Sequence, residues 1–183
     1  MIAKNSALIV IDVQNQFVSD LGPEMKATES VEKIKQVIDI FRKKQIPIIF
    51  FREIHRKQKV DFGRELDGTE SIHCIEGTHA AELVDGIEPL ANEYRIDKRR
   101  YSCFFKTDLE ILLKGLGVNT LYIIGYLTDV CVHYTCADAH QLDYHVRVVE
   151  EATRGSTWDA TKASINAIQY LQRDSIIHIS DLK

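Results

Sequence analysis

Apolar residues follow two rhythms along this chain. One is the short, continuous, mostly β-branched run. Ala7-Leu-Ile-Val-Ile-Asp12-Val-Gln, Ile48-Ile-Phe-Phe51 and Thr120-Leu-Tyr-Ile-Ile124 are of this kind and predict strands buried on both faces. The other is a recurrence at three and four residues. From about Thr28 to Lys44, Val31, Ile34, Val37, Ile38 and Phe41 form one stripe, with Lys33, Lys35, Lys43 and Lys44 on the outer face. That pattern predicts an amphipathic helix. Tyr94-Arg-Ile-Asp-Lys98 alternates and predicts a third strand, with Arg99, Arg100 and Tyr101 just past it. A capping-box pattern, Thr107-Asp-Leu-Glu110, opens a helix carrying Leu109, Leu112, Leu113 and Leu116, which stops near Gly115 and Gly117. His145-Val-Arg-Val-Val149 predicts another strand, with Glu150 and Glu151 beyond its end. A helix follows from Thr157 to about Gln172, then a last strand, Ile176-Ile-His-Ile179.

Strands and helices therefore alternate, and parallel strands need crossover helices. The expectation is a doubly wound α/β layer sandwich, one domain over 1–183. The stretch from Arg52 to about His79 is long and irregular, and is expected to lie as an ordered loop over the carboxyl edge of the sheet.

Composition narrows the function classes. The formal net charge of -4 argues against a nucleic-acid partner. No apolar run has membrane-spanning length and there is no signal-peptide pattern, so the expected compartment is the cytoplasm. Cys74, Cys103, Cys131 and Cys136 form no C-x-x-C pair or zinc spacing and are expected to be thiols. No strand is followed by a G-x-G-x-x-G or Walker pattern, which discounts nucleotide binding.

The chemistry gathers at predicted strand ends. Cys131 lies where the Thr120–Ile124 strand, ending in Gly125, gives way to a helix. Unpaired N–H groups at a helix N-terminus favour an anion, so its thiol pKa is expected to fall there. A buried structural thiol is the plain alternative. Asp12 and Lys98 sit at or just past the ends of two other strands, and in a parallel sheet those ends share one edge. A carboxylate, an ammonium and a thiol so placed suit covalent attack on a carbonyl. The acid takes the thiol proton and later gives it to a leaving amine.

Three blocks resemble the isochorismatase-like superfamily of cysteine hydrolases, essentially along the whole chain. They are Ala7 to Phe17, Lys98-Arg-Arg-Tyr-Ser-Cys-Phe-Phe105, and Gly125-Tyr-Leu-Thr-Asp-Val-Cys131 onward to Ala139. That superfamily includes nicotinamidase, N-carbamoylsarcosine amidase, ureidoacrylate and biuret hydrolases, and isochorismatase. The resemblance implies a Rossmann-like three-layer sandwich with a mostly parallel sheet. It also implies an Asp12-Lys98-Cys131 triad, a non-proline cis bond at Tyr126–Leu127, and an oxyanion site made by the Leu127 and Cys131 N–H groups. A cysteine nucleophile favours C–N bonds of small amides, carbamoyl or ureido compounds. The alternatives are vinyl ether hydrolysis without a covalent step, as in isochorismatase, or a binding or redox-responsive protein on the same fold.

Nicotinamidases of this kind carry Asp-x-His and a second His around a metal. Here Glu53-Ile-His55 departs from that, with no obvious second ligand nearby, so no metal or other cofactor is expected. Were a metal present, Glu53 and His55, with His73 or His79, would be its ligands. Arg52, Arg56, Arg99, Tyr101, Thr128 and Phe17 are the candidate substrate contacts, and Trp158 is expected at the pocket or at a subunit contact. The implied partners are a small-molecule substrate and further copies of the chain, as homodimer or homotetramer.

Overall fold

A computed structural model describes residues 2–183. One six-stranded sheet runs through the molecule in the order β3-β2-β1-β4-β5-β6. Its strands are β1 (Ser6–Ile11), β2 (Ile48–Glu53), β3 (Tyr94–Lys98), β4 (Thr120–Tyr126), β5 (His145–Arg154) and β6 (Ile176–Ile177). Every pairing is parallel. The α/β, Rossmann-like reading therefore holds, with the predicted helices as crossovers.

Strand alternation divides the core between two faces. Leu8, Val10 and Phe50 face one side, where Val31, Ile34, Val37, Ile38 and Phe41 of α2 (Ala27–Lys43) cover them. Ala7, Ile9, Ile11, Ile49 and Phe51 face the other. There they meet Leu109 and Leu113 of α3 (Leu109–Gly115), Cys136 and Ala139 of α4 (His133–Gln141), and Ile168 of α5 (Trp158–Leu171). A short helix, α1 (Asn15–Asp20), follows β1. The Phe41 ring packs edge-on against Tyr122 at 5.1 Å between centroids. Truncating so buried a ring to alanine costs about 3–5 kcal/mol.

The elements differ from the sequence expectation in four places. β5 continues through Glu150 and Glu151 to Arg154, because a register shift between Ile123 and Gly125 lets its far half re-pair with β4. β6 is two residues long and passes into a 3-10 turn at Ile179. The Thr107 hydroxyl makes no capping box; Asp108 is the N-cap, and Thr107 receives the Leu109 N–H at 3.3 Å. Cys131 sits in a π-helical turn, Thr128–Val132, that leads into α4.

Strand order reverses between β1 and β4, since the chain first steps outward to β2 and β3 and then returns to pair β4 with β1. At such a switch point the connections part on opposite faces and leave a crevice beyond the carboxyl ends. Asp12 follows β1 on one side of that crevice, and the turn carrying Cys131 follows β4 on the other.

Among the described residues, no helix is long and apolar enough to cross a membrane.

Candidate active site

Four adjacent strand ends deliver four functional side chains. Lys98 is the last residue of β3, and Glu53, the last residue of β2, is its register partner. Asp12 follows β1 with φ 50, a left-handed turn that Asp tolerates better than most residues. Its backbone N–H still bonds Phe51 O at 3.1 Å, so the turn begins while the chain is tied to β2. Cys131 comes from the turn beyond β4. All four are buried.

Gly125 allows β4 to reach this place. Its φ is 115, and a Cβ there would lie 2.0 Å from the backbone oxygen of Ile11, the residue before Asp12. Only glycine fits that approach. The Tyr126–Leu127 peptide is cis. The turn is then held from below and from the side. Thr128 Oγ1 and Thr153 Oγ1 share a hydrogen bond at 2.8 Å, and Thr153 donates to Gly125 O at 2.7 Å. Asp129 accepts the Ser156 N–H at 2.8 Å and its hydroxyl at 2.5 Å.

Lys98 Nζ is the hub. It lies 2.7 Å from Asp12 Oδ2, 2.8 Å from Glu53 Oε2 and 3.4 Å from Cys131 Sγ. Burial works against the ammonium, but Asp12, then Cys131 and Glu53, outweigh it and hold Lys98 well above its ordinary value. The two carboxylates are driven apart. Burial raises Asp12 to about 6, against the pull of Lys98. Burial also opposes ionisation of Glu53, but Lys98 and hydrogen bonds from His55, His73 and Lys98 hold it well below the carboxylate range. The Cys131 thiol is 3.6 Å from Glu53 Oε2, and one Asp12 oxygen lies within 4.8 Å of both.

The expected fall in the Cys131 pKa is contradicted. Burial comes first, and the charges of Asp12 and Glu53 add to it. Lys98 opposes them but does not prevail, and the thiol is raised well above its ordinary value. Sequence position at a helix start could not show how deep the sulfur lies or that two carboxylates face it. The resting group is a thiol that needs a base.

Beside Asp12, Lys98 and Cys131 lies a cluster that the sequence showed only in part. His55 Nε2 is 3.2 Å and His73 Nε2 2.9 Å from Glu53 Oε1, and Glu65 Oε2 is 3.3 Å from His55 Nε2. Of the two further histidines named as possible ligands, His73 joins Glu53 and His55, and Glu65 is a member that the sequence reading missed. His79 does not join them; it sits on an outer hollow with Arg52 and Glu82. Burial disfavours a charge on His55, but Glu53 and Glu65 overcome that and raise it to about 9. Among the described residues, the buried Glu65 oxygens meet only His55 Nε2 at 3.3 Å and Arg100 Nη1 at 3.8 Å, neither in good hydrogen-bond geometry. These two imidazoles and two carboxylates, with ligand atoms within 4.8 Å of one another, fit a divalent metal ion. The His73 Nδ1 contact to Ser71 O at 2.6 Å would orient its ring for that role.

A small cleft of about 280 Å³, mouth included, opens onto Cys131. Phe17, Tyr101, Leu127 and Val130 line it, with Glu53, Glu70 and His73. A larger hollow of about 900 Å³ lies at the opposite sheet edge, among Pro47, Ile48 and Tyr94, and holds no nucleophile.

The expected substrate contacts divide sharply. Phe17 and Tyr101 line the cleft. The arginines are engaged elsewhere. Arg52 holds Asp97 at 3.0 Å and Glu82 at 2.6 Å, Arg56 holds Asp61 at 2.7 Å, and Arg99 holds Asp61 at 3.3 Å and the Ile54 carbonyl. Thr128 is buried in its bond with Thr153 and does not face the cleft. Trp158 donates to Glu24 O at 3.1 Å under the Arg154 guanidinium, away from the cleft. Reasoning from sequence also missed Gln14. Its side chain takes the Glu53 N–H at 2.8 Å and donates to Glu53 O at 2.9 Å and Ala81 O at 2.8 Å, pinning the long loop to the β2 end.

Fold and site together define a buried thiol–carboxylate–ammonium centre at the switch point of a doubly wound sheet. The isochorismatase domain model matches residues 6–177, and the chain belongs to the isochorismatase family. A probable inactive nicotinamidase of Arabidopsis thaliana is 37% identical over 172 residues, covering 88% of this chain and 87% of its own. The ureidoacrylate amidohydrolase RutB of Yersinia enterocolitica is 32% identical over 190 residues, covering 90% and 82%. The solved structure of N-carbamoylsarcosine amidase from Thermoplasma acidophilum superposes with a TM-score of 0.82 at 27% identity, covering 95% of this chain and 96% of that one.

Proposed function

We propose that this protein hydrolyses the C–N bond of a small amide, carbamoyl or ureido compound through an acyl-cysteine at Cys131. The observation that carries the reading is the Lys98 ammonium set between two carboxylates of opposed proton affinity, 3.4 Å from the Cys131 sulfur. Where two carboxylates are pushed apart, the raised one is the proton carrier. Asp12 has that role, and Glu53 is the standing anion.

The steps follow from those assignments. Ionised Asp12 takes the Sγ–H proton as Cys131 attacks the carbonyl carbon, and a C–S bond forms. The carbonyl oxygen becomes an oxyanion, and the N–H groups of Leu127 and Cys131, two residues that line the cleft, are its donors in this reading. The C–N bond breaks, and protonated Asp12 gives its proton to the leaving nitrogen. Water then attacks the thioester carbon and passes a proton to Asp12. The C–S bond breaks, the acid leaves, and Asp12 returns the proton to the sulfur. Lys98 stays charged throughout and steadies the ionised states of Asp12 and Cys131.

A divalent ion, when held by Glu53, His55, Glu65 and His73, would supply a Lewis-acidic contact for a substrate donor atom near the mouth. Phe17 and Tyr101 line the cleft, and their rings suit a planar amide or ureide. A homo-oligomer is part of the same reading; the exposed Phe105 and Tyr134 beside Tyr101 support it, and light scattering tests it.

The test is ammonia release from nicotinamide, N-carbamoyl amino acids, biuret, ureidoacrylate and simple amides, with Cys131→Ala as control. Release that disappears in the variant supports the reading. Release that persists in the variant overturns the covalent route, and absence of release across the panel removes these compounds as substrates.

A further inference from the structure

Among the described residues, the cleft offers a substrate no lysine or arginine. Its lining contains two carboxylates, Glu53 and Glu70, one imidazole, His73, and neither lysine nor arginine. Both His73 nitrogens are occupied, by Glu53 Oε1 at 2.9 Å and Ser71 O at 2.6 Å. Behind the thiol, Lys98 is shared among Asp12, Glu53 and Cys131. Arg52, Arg56 and Arg99 are bound to Asp97, Glu82 and Asp61. Arg100, on the far side of Tyr101, bonds Asp61 O at 2.5 Å and lies 3.8 Å from Glu65. Glu70 is the exception among the lining groups. It is exposed at the mouth and has no ion pair or hydrogen bond among the described residues.

We propose that Glu70 sets the charge preference of the cleft, favouring neutral or positively charged amides over amides that carry a carboxylate. The inference rests on the amidohydrolase reading and narrows its substrate class. In the metal-free protein, a carboxylate entering past Glu70 would meet a second carboxylate, Glu53, and lose its hydration without gaining a lysine or arginine partner. An ammonium or a polarised N–H would gain a partner at Glu70. The difference matters because ureidoacrylate and N-carbamoylsarcosine, for which two relatives are named, both carry carboxylates. Like and opposite charges at a narrow mouth change encounter and binding by about tenfold.

The test pairs two readouts. The first is the rate of Cys131 alkylation by neutral iodoacetamide and by anionic iodoacetate, with the modified peptide located by mass spectrometry. It needs no turnover. Relative to free cysteine, the native protein is expected to prefer iodoacetamide by about tenfold, Glu70→Gln to reduce that preference about threefold, and Glu70→Lys to reduce it further. The second is kcat/KM for propionamide, succinamate and β-alaninamide, which carry hydrogen, a carboxylate and an ammonium, respectively, on the same two-carbon amide. Succinamate is expected to be the poorest, and its kcat/KM relative to propionamide to rise in both variants. If neither variant moves the alkylation ratio, or if iodoacetate is preferred by the native protein, the proposal is overturned. If the alkylation ratio moves as expected while none of the amides turns over, the charge preference stands and the amidohydrolase reading is what fails.

Discussion

Lys98 Nζ sits 2.7 Å from Asp12 and 2.8 Å from Glu53, one buried cation between two buried carboxylates. The charges do not balance within the trio, and the pair resolves the excess by unequal sharing. Glu53 also draws on His55 and His73, so it keeps its charge. Asp12 has no such help and is left as the group that protonates.

Glu53→Gln therefore has a signature that simple loss of packing lacks. Removing the Glu53 charge takes away one cause of the raised Asp12 pKa and leaves Lys98 to Asp12 alone. The acidic limb of kcat/KM is expected to move to lower pH, and kcat to fall by about tenfold or more because Lys98 loses an orienting partner. A variant with native kcat and an unmoved limb would contradict the division of roles.

The pH dependence of the native protein follows from Asp12 at about 6. The group is raised, and its ionised form is the one that accepts the thiol proton. Activity is therefore present above about pH 6 and is lost as pH falls through that value, about tenfold per unit. The pH profile of kcat/KM for a neutral substrate reads this directly. A limb near pH 4, where an ordinary aspartate titrates, would mean that burial does not govern Asp12.

Gly125→Ala tests how the nucleophile turn is positioned. The new methyl would stand 2.0 Å from the Ile11 oxygen in a residue with φ 115. Backbone strain alone costs about 1–3 kcal/mol, and the clash with main chain cannot be relieved by a side-chain rotation. A fall in Tm of about 10 °C or more is expected. A Tm within about 2 °C of native would show that β4 can draw away from β1 cheaply.

Much of the site was legible because strand ends are legible. The apolar runs before Asp12 and Gly125, and the alternation ending at Lys98, located three side chains on one edge before any contact was known. Glu53 also ends a strand, but the apolar run stops at Phe51 and assigns Glu53 to the following loop, beside His55, so its pairing with Lys98 is not visible in the sequence. The arginines misled for a physical reason: a long side chain near the edge can turn either way, and acids distant in sequence, Asp97 and Glu82 for Arg52, decide which. His73 reaches Glu53, and Glu65 reaches His55, only through the path of an irregular loop, which periodicity does not encode. Burial of the Cys131 sulfur likewise depends on packing that one strand-to-helix junction does not specify.

The most direct test of the account is a single-turnover reaction with the best substrate of the panel, quenched in acid and examined by intact-protein and peptide mass spectrometry. The account predicts a transient increase equal to the substrate acyl group less one hydrogen, located on Cys131, formed as ammonia or amine is released and absent in Cys131→Ala. Product release with no adduct at any time, together with undiminished turnover in Cys131→Ala, would contradict it.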